Sequence, residues 1–301
     1  MTSHENATPP YTDGQGRPAD RLFQPPPLPP ATDATEAFDA AERDMWQGRT
    51  EAYAGSFARL CAHPVEALLD AAGVGEGTRV LDVGTGTGTA AVAARARGAR
   101  VSAVDADAGM VAAARARGLD ARTGVLPELP YPDGEFDAVV GNFVLNHVGR
   151  PRTALAELHR LLRPGGRIAL TTWSARRGAG QDLLGRACEA GGAVPPAYLP
   201  RLDPAEDWAR TADGLAELLG GAGFMEAEAA ELTWEHRAGV EEWWSAAVGG
   251  VATIGLIVTS QGPETVVRIR REYERLSTEH AVAEGQLALP HIALLGSGRR
   301  A

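Results

Sequence analysis

The chain has 301 residues, 44% of them hydrophobic and 23% charged, the balance of an ordinary globular protein long enough to bury a sizeable core. Its formal net charge is -10, with no long basic run, which argues against nucleic acid or an anionic membrane surface as partner. Cys61 and Cys188 lie far apart and outside any CxxC pair, which excludes a zinc ribbon and a disulfide framework, and no run of about 18 apolar residues is present to cross a membrane.

Residues 1–34 carry five prolines in the six positions 25–30 and read as a disordered tail with local polyproline II character, either inert or a docking arm. This start has no apolar core of a secretory signal, so a reducing cytoplasm is the expected compartment. Residues 35–301 read as one domain. Helices are expected at 37–46, 51–61 and 64–72, with Tyr53, Phe57 and Leu60 on one face of the second. The first strand, 79–83, runs into Gly84-Thr85-Gly86-Thr87-Gly88 and then a helix over 89–97 closed by Gly98. A strand at 100–104 follows, then a helix capped by Asp107 and running to Arg117, and a short strand near 121–123. An apolar strand at 136–142, a helix at 152–162 opened by Pro151, and another apolar strand at 167–173 continue the alternation. Repeated βα units of this length mean a parallel sheet with helices on both faces. Beyond Trp173 the pattern loosens. Helices are expected at 181–190 and 214–221, a β-like run at 224–234, a largely helical stretch at 239–281, and a last strand at 287–295 that leads into a polar tail.

The chemistry gathers around the glycine run. Glycine lets a backbone approach a ligand closely and accept φ > 0, and the helix that follows offers free N–H groups and a partial positive charge. Alone, this fits any nucleotide-binding βαβ unit, or a plain glycine turn. Asp105, 21 residues after Gly84, can accept from both hydroxyls of an adenosine ribose, while Asp107 suits capping. The spacing GxGxG, rather than GxGxxG, sets the chain apart from the usual dinucleotide proteins.

Five runs occur in order: VLDVGTGTG at 80–88, VDAD at 104–107, LPYPDGEFDAVV at 129–140, NFVLNHV at 142–148 and LLRPGGR at 161–167. Together they resemble the class I S-adenosylmethionine-dependent methyltransferases, specifically the group similar to the ubiquinone/menaquinone C-methyltransferases, over about residues 36–173. The resemblance implies an α/β, Rossmann-like doubly wound sheet of seven strands in the order 3-2-1-4-5-7-6. Strand 7 would be antiparallel (287–295) and strand 6 would lie at 227–234. It also implies a core at 74–173 and helical lid segments at 35–63, 174–213 and 239–281. S-adenosylmethionine is the implied cofactor. Asp82, Gly84 and Gly86, with Gly88 completing the run, would hold its methionine end. Asp105 would take the ribose, and Ala106 and Met110 would line the adenine, although Met110 serves equally as helix core. Asn142 and Phe143 would lie beside the methionine amino group and the sulfonium. One departure stands out: Val125 occupies the place of an acid that accepts from the adenine amine in the family. The adenine would then rest on backbone and on Val125 and Leu126, with weaker affinity expected.

Methyl transfer asks the protein to align acceptor, methyl and sulfur, exclude water, and remove a proton from a hydroxyl or amine acceptor. His147 is the candidate base, with a loop-capping role as its alternative. Tyr53 and Trp46 are candidates for contact over the cofactor, or for plain core. Trp243 and Trp244 could line an apolar acceptor pocket, but adjacent helical residues do not face the same way. His236, His280 and His291 show no ligand spacing, and Asn142 stands where a Mg²⁺-dependent enzyme would use carboxylates, so no metal is expected. The reading is an enzyme, monomer or homodimer, that methylates a small organic acceptor, with a specialised metabolite expected. A non-methylating cyclase, a binding module, a peptide methyltransferase and an NAD-dependent oxidoreductase remain the alternatives.

Overall fold

In the computed structural model, which describes residues 34–199, 201–283 and 285–301, the run Arg79–Val83 forms β1. Four of its five residues are buried because the strand lies between two parallel neighbours, β2 (Arg100–Asp105) and β4 (Phe136–Asn142). β3 (Asp120–Thr123) adds to β2, and β5 (Leu162–Trp173) adds to β4, both in parallel. β8 (Gln286–Arg299) then runs antiparallel to β5 on one side and to β6 (Met225–Gly239) on the other. The order is β3-β2-β1-β4-β5-β8-β6, which is the expected path with its antiparallel member in the expected place. A short β7 (Ala281–Ala283) pairs with β8 and makes an eighth strand. The proline-rich stretch before residue 34 lies outside the described residues.

The helices are α1 (Ala34–Trp46), α2 (Thr50–Ala54), α3 (Phe57–Cys61), α4 (Val65–Ala71), α5 (Thr89–Ala96), α6 (Ala108–Ala116), α7 (Pro151–Leu161), α8 (Ala179–Ala190), α9 (Ala212–Gly221), α10 (Val240–Val248), α11 (Ala252–Thr259) and α12 (Pro263–Ser277). The helix expected over 51–61 is two helices. Gly55 ends α2, and Ser56 turns its hydroxyl back to the carbonyl of Ala52, a local bond that competes with the helical ladder. The expected polar tail after 295 is also corrected. Gly296, Ser297 and Gly298 continue β8 and pair with Leu170, Ala169 and Ile168 of β5. A Cβ at Gly296 would come within 2.7 Å of Leu215, so the bare backbone lets α9 pack close.

One face of the sheet buries Leu81, Val139, Ile168 and Leu294 against Leu155 and Leu158 of α7 and Leu215 and Leu219 of α9. The other buries Val80, Ala138, Val140 and Ala169 against α4 and α5. A separate apolar cluster joins α8, α10 and α12 to the start of β8, through Leu183, Trp243, Trp244, Tyr273 and Leu289. Burial of such side chains contributes roughly 1.5–3 kcal/mol each. This helical layer lies beyond the carboxyl ends of the parallel strands, where open α/β sheets bind their ligands. Among the described residues no single helix is long and apolar enough to cross a membrane.

Candidate active site

The glycine run leaves β1 with three left-handed residues, Gly84 (φ 66°), Gly86 (φ 54°) and Gly88 (φ 85°). They are glycine for different reasons. A Cβ at Gly84 would stand 2.4 Å from Cγ2 of Val144, and one at Gly88 2.5 Å from Cδ1 of Leu119. Both sites are closed by the protein's own packing. At Gly86 a Cβ would meet only Cε1 of Tyr53, at an ordinary contact distance of 3.6 Å, and the residue lines the cavity. Asp82 holds the run from behind. It is 1% exposed, and its Oδ2 accepts from the Thr85 hydroxyl at 2.7 Å and from the Ala91 N–H at 3.0 Å. Asp105, at the end of β2, holds it from the side: Oδ2 accepts from the Gly86 N–H and Oδ1 from the Asp107 N–H. Burial pushes both carboxyls upward, Asp82 to about 7. Asp107 caps α6 by accepting from the Met110 N–H at 2.8 Å.

A cavity of about 1120 Å³ opens in front of this loop. Gly84, Gly86, Asp105, Ala106, Met110, Val125, Leu126, Asn142, Phe143, His147 and Tyr53 all line it, so most of the residues singled out in the sequence come together. Asp82 and Gly88 do not line it. Both were expected at the ligand, and both are turned inward. Asp82 braces Thr85 and the start of α5, and Gly88 is pressed against α6 and Leu119. Val125 is 40% exposed, and it lines the same cavity as Leu126, Met110 and Leu129.

The β4 end is rigidly positioned. The Thr171 hydroxyl donates to Oδ1 of Asn142 at 2.7 Å, and Nδ2 of Asn142 donates to the Cys61 carbonyl at 2.7 Å. The Phe143 N–H donates to Oγ1 of Thr171. Phe143 itself has φ 61°, a strained conformation for an aromatic residue that costs about 1–2 kcal/mol. It is held there with its ring stacked on Trp173, centroids 4.2 Å apart.

His147 follows in a short 3₁₀ turn. Its Nδ1 faces Oε2 of Glu42 at 2.7 Å, and its ring meets Trp46 edge-on at 5.2 Å, so it ties α1 to the end of β4. Trp46 in turn meets Tyr53 edge-on at 5.6 Å. Burial, with the Cys61 thiol alongside, holds the Tyr53 phenol well above its ordinary value. Tyr53 is therefore a hydrogen-bond donor at neutral pH.

The far half of the cavity is lined by Phe57, Leu60, Trp173, Leu184, Trp243 and Ile257, with Gln181 and His291 among them. The two adjacent tryptophans divide as helical geometry requires. Trp243 faces the cavity, while Trp244 stacks on Tyr273 at 5.2 Å with Arg270 over its ring. In the sequence His291 was weighed only as a metal ligand, yet it left another signal. In β8 it shares a face with Leu287, Leu289 and Ala293, a polar residue in an apolar period-2 row. Among the described residues no group of three or more His, Cys, Asp or Glu is placed to hold a metal ion.

A methyltransferase domain model matches residues 81–170. The chain is 33% identical over 183 residues to a demethylmenaquinone methyltransferase of Mycolicibacterium paratuberculosis, covering 58% of this chain and 77% of that protein. A demethylmenaquinone methyltransferase of a Mycobacterium species is also 33% identical, over 54% of this chain and 74% of its own length. Among solved structures, a candidate methyltransferase from an antibiotic biosynthesis pathway of Anabaena variabilis superposes with a TM-score of 0.54 at 20% identity, over 77% of this chain and 95% of that one. At that identity the likeness speaks for the fold.

Proposed function

The chain belongs to the class I S-adenosylmethionine-dependent methyltransferases of the quinone-methylating type, and on that premise we propose that its acceptor is a small, flat, mostly apolar organic molecule of specialised metabolism. One observation carries this reading. The cavity that begins at Gly86 and Asp105 runs on without a break into a chamber walled by Phe57, Trp173, Trp243 and Ile257. Its volume, about 1120 Å³, lies just above the roughly 300–1,000 Å³ of single-ligand sites, which suits two ligands side by side. Every wall residue of the far chamber from Trp173 onward lies beyond the matched methyltransferase segment, which ends at residue 170.

The protein's own groups suit the cofactor. The space in front of Gly86 would be filled by a Cβ, and Asp105 turns a carboxylate to it. Val125, Leu126 and Met110 offer an apolar bed for a flat base, in place of the acid that Val125 replaces. Bound there, S-adenosylmethionine supplies a methyl group activated by its sulfonium. Asn142 and Phe143 are locked by Thr171 and Cys61 and give that end of the site a fixed wall. The helices after β5 and β6 act as the lid that excludes water and orients the acceptor.

The test is calorimetric titration of the protein with S-adenosylmethionine, followed by a panel of aromatic metabolites assayed for release of S-adenosylhomocysteine. Saturable cofactor binding and release with at least one flat acceptor support the reading. Binding with substrate turnover but no release would replace it with the cyclase alternative.

A further inference from the structure

Two polar rings meet in the far chamber, the Trp243 indole and the His291 imidazole. His291 is 2% exposed, and its Nδ1 lies 2.8 Å from the Leu289 carbonyl. A carbonyl only accepts, so Nδ1 carries the ring proton and Nε2 keeps its lone pair. Trp243 is 3% exposed, and its buried Nε1–H has no hydrogen-bond partner. A buried donor of this kind is costly unless a ligand satisfies it. The two rings meet edge to face with centroids 5.6 Å apart, and both line the cavity. Around them stand flat surfaces. Trp173 lies 6.0 Å from His291 and stacks on Phe143, and Trp234 stacks on His291 at 5.9 Å and lies 6.1 Å from Trp173.

We propose that Trp243 and His291 form the acceptor subsite: a hydroxyl on a flat aromatic ring accepts from Nε1–H of Trp243 and donates to Nε2 of His291, which takes its proton during transfer. The proposal rests on the methyltransferase reading and deepens it. The acceptor O–H bond breaks and its proton passes to Nε2. An oxygen electron pair forms the O–CH₃ bond, the S–CH₃ bond breaks, and its electron pair stays on sulfur. The positive charge leaves the sulfonium as it appears on the imidazolium, so the chamber gains no net charge, which matters where water is excluded.

His147 is differently placed. Its Nδ1 is engaged by Glu42 and its ring lies against Trp46, and it acts electrostatically on Asp105, all at the cofactor end. His291 faces the acceptor end. Burial, with His236 of β6, His63 after α3 and Arg177 before α8 nearby, holds His291 down to about 4. It is neutral at physiological pH and ready to accept. A base this weak selects an acidic hydroxyl, a phenol or an enol, over an aliphatic alcohol.

The test uses the full chain and three probes: 7-hydroxycoumarin, an acidic flat phenol, with coumarin and 7-methoxycoumarin as controls that cannot donate. With S-adenosylhomocysteine bound, tryptophan quenching gives their dissociation constants. The native protein is expected to prefer 7-hydroxycoumarin by about tenfold, the worth of one satisfied hydrogen bond. His291→Phe and Trp243→Phe should each bring the three probes within about threefold of one another. In turnover, His291→Gln should lower kcat for 7-methoxycoumarin formation by about 10²–10⁴-fold with KM nearly unchanged. The proposal is overturned if the native protein does not discriminate the phenol, if either Phe variant keeps the discrimination, if no 7-methoxycoumarin forms, or if His291→Gln keeps native kcat. Failure of S-adenosylhomocysteine to bind the native protein would instead sink the methyltransferase reading beneath it.

Discussion

Oδ2 of Asp105 accepts the backbone N–H of Gly86 at 2.8 Å, so the acid at the end of β2 and the turn after β1 are one unit. The same carboxylate meets the cavity, and its two roles share one set of lone pairs. Replacing Asp105 by alanine removes the ribose acceptor and releases the turn together. The loss of one charge-assisted bond is about 1.5–3 kcal/mol, so calorimetry should show S-adenosylmethionine binding about 10- to 100-fold weaker. Unchanged affinity would mean that Asp105 serves the turn alone.

The three glycines should separate by what their mutation costs. Gly88→Ala drives a methyl into Leu119, and Gly84→Ala drives one into Val144. Each adds steric strain to the roughly 1–2 kcal/mol of a left-handed alanine, and thermal melting should show a loss of about 2–4 kcal/mol. Gly86→Ala bears only the backbone term, because its Cβ would meet nothing nearer than Tyr53 at 3.6 Å. It should melt with only that loss of about 1–2 kcal/mol, less than the other two, but bind S-adenosylmethionine at least about tenfold more weakly. Equal melting losses at all three positions would contradict the assignment of Gly86 to the ligand.

Asp82 should make the cofactor-free protein less stable toward alkaline pH. Its folded carboxyl is pushed up to about 7 by burial, above an ordinary value of 3.8. Between those values the folded chain holds a proton that the unfolded chain has lost. The stabilisation is therefore full below about pH 4 and fades as pH rises through about 7, with a slope near 1.4 kcal/mol per pH unit at most. The Tm of native protein should fall from about pH 5 to 8 relative to Asp82→Asn, which keeps an oxygen for Thr85 and Ala91 but does not ionise. Parallel Tm profiles for the two proteins would refute this.

Glu42 and His147 fasten α1 over the cofactor end of the cavity, with the Asp39 carboxylate accepting from the Gly149 N–H nearby. Glu42→Ala removes a nearly buried partner, and such bonds contribute about 1–3 kcal/mol. Limited proteolysis should cut α1 several-fold faster in this variant, and bound S-adenosylmethionine should restore protection. Native cleavage rates would show that α1 is held by apolar contacts such as Phe38 and Met45 alone.

The sequence by itself determined the sheet from β1 to β5, the glycine turn, the Asp107 cap and the antiparallel last strand. Each is written in local signals: period-2 apolar runs, turn glycines, a capping carboxylate, and motif order shared with a family. The break at Gly55-Ser56 was also local, but a tyrosine, phenylalanine and leucine spaced along one face masked it. Only the tertiary structure decided which glycine's Cβ side is left unpacked, because that depends on Val144 and Leu119, which arrive from other units. It alone turned Asp82 inward and set Tyr53 at the cavity wall beside Gly86. It alone placed His291 of β8 against Trp243 of α10. Residues so far apart in the chain meet because β8 inserts between β5 and β6 and carries the helical layer over the strand ends, and no periodicity within either segment encodes that meeting.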